Sequence, residues 1–401
     1  MRKSILVIIA AYLLILISPV FVHALPEDPA KGGLLLAGKG CLKCHSIKGV
    51  GGTIGPDLGV VDLGDTGLDL AAKMWNHTPA MIEGMKKAGI VKPTLTAEEF
   101  SQITAYLYFL RFKDVPGNAN AGRYLFGLKG CSSCHPVSGK GREGERALDD
   151  FPRNISPVFL SQAIWNHSLQ MMAQMLRAGR QWPTFDGTEM MDILAFIRSY
   201  AKGQEEPALS RPGNPVEGRR IFEKKECVSC HSVFGEGPAG GIDLGRRAEA
   251  FYKSPTQIAS DMWNNAPEML LVRIARSQIT MPRFTSNEMA DVLAYLYSLH
   301  YVGGPGNAEK GEALFSKLRC SQCHRVGGKG GKLIYIDLSK LQNQDPSEIV
   351  ADIWDHSMQM RKLMGIKGIP WPQLKKGDMA DLVQYIRNPQ NKKKQEGKGK
   401  N

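Results

Sequence analysis

The cysteines and the residues beside them carry the most distinctive chemistry of this chain. All 8 cysteines stand in four Cys-x-x-Cys-His motifs. Two thiols at this spacing add across the two vinyl groups of one haem, and the adjacent histidine reaches the iron as its proximal ligand. The motifs therefore predict four covalently bound haem c groups. They consist of Cys41, Cys44 and His45; Cys131, Cys134 and His135; Cys227, Cys230 and His231; and Cys320, Cys323 and His324.

Zinc is the alternative occupant of cysteine and histidine motifs. A zinc ribbon pairs two Cys-x-x-Cys motifs about 15–20 residues apart. Here the first cysteines fall at positions 41, 131, 227 and 320, so successive motifs are 90, 96 and 93 residues apart. This spacing disfavours shared zinc sites and indicates one haem for each motif.

A second marker recurs with the motifs and indicates a duplicated unit. A proline lies 15 residues before each first cysteine, at Pro26, Pro116, Pro212 and Pro305. Repetition at a fixed period is the signature of repeated structural units. We expect units of this length to fold largely alone, each around its haem. The predicted segments are a signal peptide (1–24), unit 1 (25–114), unit 2 (115–210), unit 3 (211–303), unit 4 (304–388) and a lysine-rich disordered tail (389–401).

Within each unit the pattern predicts an all-α fold. The last three prolines open the phrase Pro-Gly-Asn, whose asparagine is a good helix N-cap. A first helix then leads into the haem motif. A second helix carries a tryptophan, and a last amphipathic helix ends the unit. The tryptophans are Trp75, Trp165, Trp263 and Trp354, and we expect them to wall the haem pocket, with a haem propionate as a candidate partner of the indole N–H.

These features resemble the class I cytochrome c family, over about residues 26–388. The resemblance implies a first helix ending at the haem motif, a middle helix over the distal face and a last helix crossing the first. The segment Gly55-Pro56-Asp57-Leu58 matches the family's Gly-Pro-x-Leu after the haem site. Units 3 and 4 keep only an Asp-Leu pair there, and unit 2 has a charged loop at residues 142–146 instead.

The resemblance also implies a distal methionine shortly before the last helix, and only unit 3 has one there, Met281. The other units carry Lys92, Trp182 and Trp371 at that place, which precedes a proline. Those units have a histidine two residues after the tryptophan and 32 residues after the proximal histidine, whereas unit 3 has Asn265 two residues after Trp263. This exclusion favours Met281 as the distal ligand in unit 3 and a distal histidine elsewhere, namely His77, His167 and His356.

Methionines on the same helical face are the alternative distal ligands. Each candidate histidine is followed by methionines at i+4 and i+8, which share its face of a helix. The i+8 residues are Met85, Met175 and Met364, and the i+4 residues are Met81, Met171 and Met360. A methionine stripe is also ordinary core packing, which would leave the iron open. Lys92 would ligate only when deprotonated, and we expect it to be solvated instead.

The N-terminus and the charge indicate export. Arg2 and Lys3 precede a 13-residue apolar run and then small residues ending at Ala24, which is typical of a cleaved secretory signal. An uncleaved segment would anchor the chain to a membrane. Export would place the protein in the periplasm or on the extracellular face. The formal net charge of +12 is largely offset by haem propionates and concentrated in the tail, so we exclude nucleic-acid binding.

Four haems without other recognisable chemistry predict an electron-transfer relay between redox proteins. The alternatives are a haem enzyme with an open iron, which needs acid and base groups beside a vacant position, and a subunit of a larger respiratory complex. The sequence also leaves self-association of the chain open.

Overall fold

The computed structural model describes residues 29–139, 147–204, 213–238, 240–245, 254–276, 281–331 and 337–389. The predicted signal peptide, the charged loop of unit 2 and the lysine-rich tail after residue 389 lie outside these residues. None of the described helices is long and apolar enough to cross a membrane. The helices are α1 (Lys31–Gly38), α2 (Gly67–Lys87), α3 (Ala97–Phe109), α4 (Ala119–Leu128), α5 (Pro157–Arg177), α6 (Glu189–Tyr200), α7 (Pro215–Lys224), α8 (Pro255–Asn264), α9 (Ala266–Ala275), α10 (Ser286–Val302), α11 (Ala308–Lys317), α12 (Pro346–Ile366) and α13 (Asp378–Arg387).

The helices repeat as a first, a middle and a last helix in each unit, and unit 3 has its middle helix in two pieces, α8 and α9. The first and last helices of every unit pack on each other. A glycine makes this close approach possible, because a Cβ at its position would overlap a backbone carbonyl group of the last helix. The glycines and the residues they face are Gly32 and Gln102, Gly122 and Asp192, Gly218 and Asp291, and Gly311 and Asp381.

The predicted asparagine caps are confirmed. The side chain of Asn118 accepts hydrogen bonds from Asn120 N and Ala121 N, and Asn214 and Asn307 cap α7 and α11 in the same way. Each backbone N–H also donates to an aspartate of the last helix, as Asn118 N does to Asp192 Oδ1 at 2.7 Å. The cap therefore stabilises the first helix, by about 1 kcal/mol, and joins it to the last one.

A tight turn, which was not predicted from the sequence, begins three residues after each haem histidine. Both central residues have positive φ in every unit, for example 51° at Lys48 and 82° at Gly49, the geometry of a type I′ turn. In two units the turn closes a small antiparallel hairpin. The strands are β1 (Ser46–Ile47) with β2 (Val50–Gly51), and β3 (Arg325–Val326) with β4 (Lys329–Gly330). The signal was a glycine at the fourth position after each histidine: Gly49, Gly139, Gly235 and Gly328.

The units do not stand apart as the sequence suggested. Helices α2 and α3 of unit 1 pack on α12 and α13 of unit 4, and α5 and α6 of unit 2 pack on α8 and α10 of unit 3. Helix α10 of unit 3 also packs on α2 and α3 of unit 1, which joins the two pairs. One continuous apolar core contains residues of all four units. Units this small bury little apolar surface alone, and packing in pairs supplies the rest.

Two glycines of α4 give a matched test of the helix crossing. We expect Gly122→Ala to destabilise the protein by about 1–3 kcal/mol, because the added methyl group meets Asp192 O and the helices must separate. Gly127→Ala should instead stabilise it by roughly 0.5–1 kcal/mol, because nothing lies near that position and alanine favours the helix. Denaturant unfolding followed by far-ultraviolet circular dichroism measures both. A neutral Gly122→Ala would contradict this account of the crossing.

Candidate functional site

The four Cys-x-x-Cys-His motifs share one backbone conformation. A residue with positive φ ends each first helix, and a 3₁₀ turn then begins at the first cysteine. The histidine N–H donates to the carbonyl oxygen of that cysteine, at 3.0 Å in His45. Burial raises the pKa of Cys131, Cys227 and Cys320 to about 11. The first cysteine of these motifs therefore lies against apolar surroundings.

The motifs of units 2 and 4 open into large cavities. The cavity of unit 2 has a volume of about 630 Å³ and that of unit 4 about 520 Å³. Apolar side chains dominate both walls, such as Phe126 and Ile197 in unit 2 and Phe315 and Ile386 in unit 4. Cysteines of the motif, the proximal histidine and the candidate distal histidine line the same cavity. This is the setting that a large, mostly apolar prosthetic group requires.

Two imidazoles face each other at the haem motif in units 1, 2 and 4. The ring centres are 6.4 Å apart in His45 and His77, 6.2 Å in His135 and His167, and 6.3 Å in His324 and His356. Metal–imidazole bonds are about 2.0–2.1 Å long, and the ring centre lies about 1.1 Å behind the nitrogen, so one metal ion between two imidazoles separates their centres by about 6.3 Å. The three pairs therefore fit a haem iron held between them.

Burial lowers the pKa of His77, and the charge of the nearby His45 lowers it further. The pKa of His324 is lowered by burial and then by His356. Both shifts favour the neutral imidazole, which is the form that binds a metal ion.

The alternative methionines lie further along the same helices. A residue at i+8 is displaced by about 12 Å along the axis from the histidine. Met85, Met175 and Met364 are half-buried at such positions, whereas the histidines stand opposite the proximal rings. Met171 and Met360 at i+4 contribute to the cavity walls, and so does Met175 at i+8 in unit 2. These three methionines therefore lie where packing against a prosthetic group is expected.

Unit 3 differs from the others at the distal side. Its middle helix is interrupted at Asn265, and the amide of that residue donates to Asp261 O at 2.7 Å. The residue that replaces the distal histidine in unit 3 is thus hydrogen-bonded within its own helix. Met281 is buried, with 8% of its surface exposed, and belongs to the apolar core. Met269 is half-buried against that core.

In units 1 and 3 the proximal histidine is oriented by the loop that follows the motif. His45 Nδ1 lies 2.9 Å from Pro56 O, and His231 Nδ1 lies 3.1 Å from Ile242 O, so each ring donates to a carbonyl oxygen. Such bonds fix the tautomer and leave Nε2 for a metal. The loop comes so close that a Cβ at Gly55 would lie 2.5 Å from the ring of His45. Glycine at this place of the Gly-Pro-x-Leu segment is therefore a steric requirement.

An aspartate of this loop holds the type I′ turn. Asp57 accepts hydrogen bonds from Lys48 N at 3.0 Å and Gly49 N at 2.6 Å. Asp243 and Asp337 bind the equivalent turns of units 3 and 4. The aspartates that the sequence analysis noted as remnants of a family segment thus shape the proximal side.

The tryptophans lie at the boundaries between paired units. Each indole N–H donates across a unit boundary to the carbonyl oxygen of a proline before the last helix. The bonds are Trp75 to Pro372 at 2.8 Å, Trp354 to Pro93 at 2.8 Å, Trp165 to Pro282 at 2.7 Å and Trp263 to Pro183 at 2.6 Å. Trp75 lines the cavity of unit 4 and Trp263 that of unit 2. These two side chains therefore wall the haem pocket of the neighbouring unit, because the units pack in pairs.

In units 1, 2 and 4 the residue before that proline also contacts the neighbouring unit. Trp182 stacks on Trp263 with ring centres 4.0 Å apart, and Trp371 stacks on Trp75 at 4.1 Å. Lys92 Nζ lies 4.1 Å from the ring centre of Trp354 and donates to Trp354 O at 2.7 Å. The expectation that Lys92 is solvated is therefore wrong. Burial lowers its pKa, and the charge of Asp355 opposes that shift.

The residue after each tryptophan completes the interface. Asn166 donates to Phe284 O at 2.7 Å and accepts from Phe284 N at 2.8 Å. Its amide thus makes with Phe284 the two hydrogen bonds that a residue of a neighbouring β-strand would make. Asn76 and Asn264 make the same pair of bonds with Leu374 and Phe185. Asp355 keeps only the accepting bond, from Leu95 N at 3.0 Å. The Trp-Asn and Trp-Asp pairs are thus signals of unit pairing that the sequence analysis did not recognise.

Comparison with known families gives two matches in this chain. The family model described as Cytochrome c matches residues 215–300 and 308–390, which are units 3 and 4. Comparison with curated proteins and with solved structures gave no match. The C-terminal half is thus similar to cytochrome c, and the same helix order and motif geometry recur in the N-terminal half.

Asn166 and Asn120 in unit 2 allow a matched test of the unit interface. We expect Asn166→Ala to destabilise the protein by about 2 kcal/mol, because it removes two hydrogen bonds and leaves backbone groups of Phe284 unpaired. Asn120→Ala, at an exposed side chain, should change stability by less than about 0.5 kcal/mol. Denaturant midpoints of the two variants give the comparison. Equal effects would argue against a stabilising role of the amide pair.

Proposed function

We propose that this protein is an exported tetrahaem c-type cytochrome that transfers electrons between redox partner proteins. The observation that carries the proposal is the set of opposed histidine pairs at the haem motifs, 6.2–6.4 Å between ring centres in units 1, 2 and 4. The match of units 3 and 4 to the Cytochrome c family supports haem-based electron transfer. Arg2, Lys3 and the apolar run after them support export to the periplasm or the extracellular face.

The proposed axial ligands are two histidines in units 1, 2 and 4 and His231 with Met281 in unit 3. The facing imidazoles support the first part. The second is supported by the burial of Met281 and by the hydrogen bond that engages Asn265. Two strong ligands from the chain leave an iron no open position, which disfavours a haem enzyme in those units. A cytochrome that serves as a subunit of a respiratory complex would have the same sites.

When bound, haem supplies an iron that cycles between two oxidation states. The chain contributes to this chemistry in three ways: it holds the ligands, fixes the proximal rings through Pro56 O and Ile242 O, and surrounds the group with apolar side chains. Ligand identity, burial and hydrogen bonding are the properties through which a protein sets a haem potential. Because methionine ligation raises the potential relative to histidine, unit 3 should have the highest of the four.

The first experiment counts haems and ligand types in the mature protein. We expect an intact mass with four haem additions and loss of residues 1–24. Spectra of the oxidised protein should show three bis-histidine haems and one with a methionine–iron band. That band should disappear in Met281→Leu and remain in the matched variant Met269→Leu. Fewer than four haems in fully matured protein, or no thioether ligand at all, would contradict the proposal as stated.

The second experiment separates the histidine from the methionine at the distal side of unit 1. We expect His77→Ala to make one haem iron accessible to added imidazole or carbon monoxide, because the ring opposite His45 is removed. The matched variant Met85→Ala should leave all irons closed. Ligand-binding titrations followed by absorbance measure both. If only Met85→Ala opens the site, the distal ligand is the methionine and all four haems share His/Met ligation.

A further inference from the structure

The contacts within each pair of units are reciprocal. Unit 1 donates an indole N–H to Pro372 O of unit 4, and unit 4 returns the equivalent bond to Pro93 O of unit 1, both at 2.8 Å. Units 2 and 3 exchange the equivalent bonds. A surface that contacts its own counterpart in this way is the mark of a two-fold interface. The chain therefore contains two dimer-like pairs, units 1 with 4 and units 2 with 3. In the sequence, the second pair lies between the two members of the first.

An aromatic cluster joins the two pairs at one place. Tyr297 of unit 3 donates to Tyr108 O of unit 1 at 2.9 Å and stacks on Phe112 with ring centres 4.1 Å apart. Tyr301 stacks on Tyr108 at 5.3 Å. Both tyrosines of unit 3 are buried, and the pKa of Tyr301 lies well above its usual range because of burial. The surface between units 1 and 3 is thus a packed apolar contact.

Units 1 and 2 lack such contacts among the described helices, and so do units 3 and 4. The extensive helix contacts between units join 1 with 4, 2 with 3, and 1 with 3. None of them joins unit 1 with 2 or unit 3 with 4. The order along the chain and the order in space are therefore different.

We infer that the four haem sites follow one another in space in the order 2–3–1–4, with units 2 and 4 at the ends where redox partners dock. This inference rests on the proposed tetrahaem function. Trp263 lines the cavity of unit 2 and Trp75 that of unit 4, so each end site borders the middle helix of its pair partner. Electron transfer between sites becomes steeply slower with distance. Electrons therefore enter at one end site, cross units 3 and 1, and leave at the other.

The order has a consequence for the proposed His/Met site. Unit 3 contacts both unit 2 and unit 1, so its haem lies inside the relay. The site of highest potential then retains electrons between the two ends and does not hand them directly to a partner. Each end of the relay is a site with an opposed histidine pair, His135 with His167 or His324 with His356.

The test measures how strongly each haem changes the potential of every other one. A redox titration of the intact mature protein, followed by NMR of the haem methyl groups, yields these interactions pair by pair. The ligand variants His77→Met, His167→Met and His356→Met assign signals to units, because each should raise one potential. We expect the 1–4 and 2–3 interactions to exceed those of 1–2 and 3–4 by about twofold or more, since Coulomb energies fall with distance and are screened beyond ~10 Å.

A matched pair of interface variants tests the pairing from the protein side. Trp371→Leu should shift the potentials of haems 1 and 4 and leave haems 2 and 3 unchanged, because it removes the ring that stacks on Trp75. Trp182→Leu should shift the potentials of haems 2 and 3 and leave haems 1 and 4 unchanged. Leucine fills the position with an apolar side chain that cannot bind iron.

The possible failures can be told apart. Strongest interactions between haems 1 and 2 or 3 and 4 would overturn the spatial order while leaving the tetrahaem proposal intact. A shift confined to haem 4 in Trp371→Leu would overturn the role of the exchanged contact. Ligand variants that change no potential would overturn the proposed function and this inference with it.

Discussion

The distance between two facing imidazoles is the constraint on which the haem sites depend. One ring sits on a 3₁₀ turn and the other on a helix that starts more than twenty residues later, yet three units hold them 6.2–6.4 Å apart. Several features maintain that gap. The first and last helices cross at a glycine, and the loop after the motif presses on the proximal ring at Gly55. An aspartate fixes the turn at the start of that loop.

In units 1, 2 and 4 the middle helix contributes both to its own histidine pair and to the interface with the neighbouring unit. One side carries the histidine toward its own unit, and the preceding two residues reach the neighbouring unit. In unit 2, Trp165 and Asn166 bind the backbone of unit 3 while His167 faces His135. Three consecutive residues of one helix thus place the histidine opposite its partner and bind the neighbouring unit. A shift of this helix would therefore alter the opposed histidine pair and the interface together.

Unit 3 shows how the repeat accommodates an exception. Asn264 and Trp263 keep the interface bonds to unit 2, but the next residue is Asn265 and the helix breaks there. The interface is therefore independent of the residue beside it. This separation allows unit 3 to carry a different residue at the histidine position without losing its place in the assembly.

The sequence by itself determined the features that depend on neighbouring residues. Haem attachment, the number of repeats, the asparagine caps and the helix order all follow from short spacings in the chain. Only the tertiary structure decided which residue faces each proximal histidine, because His77 and Met85 share one helical face and spacing cannot rank them. It also decided the pairing of units. Trp75 binds Pro372 across 297 positions of the chain. Because the repeats share one pattern, their sequences do not indicate which units will pair. That choice follows from how four small cores bury their remaining apolar surface together.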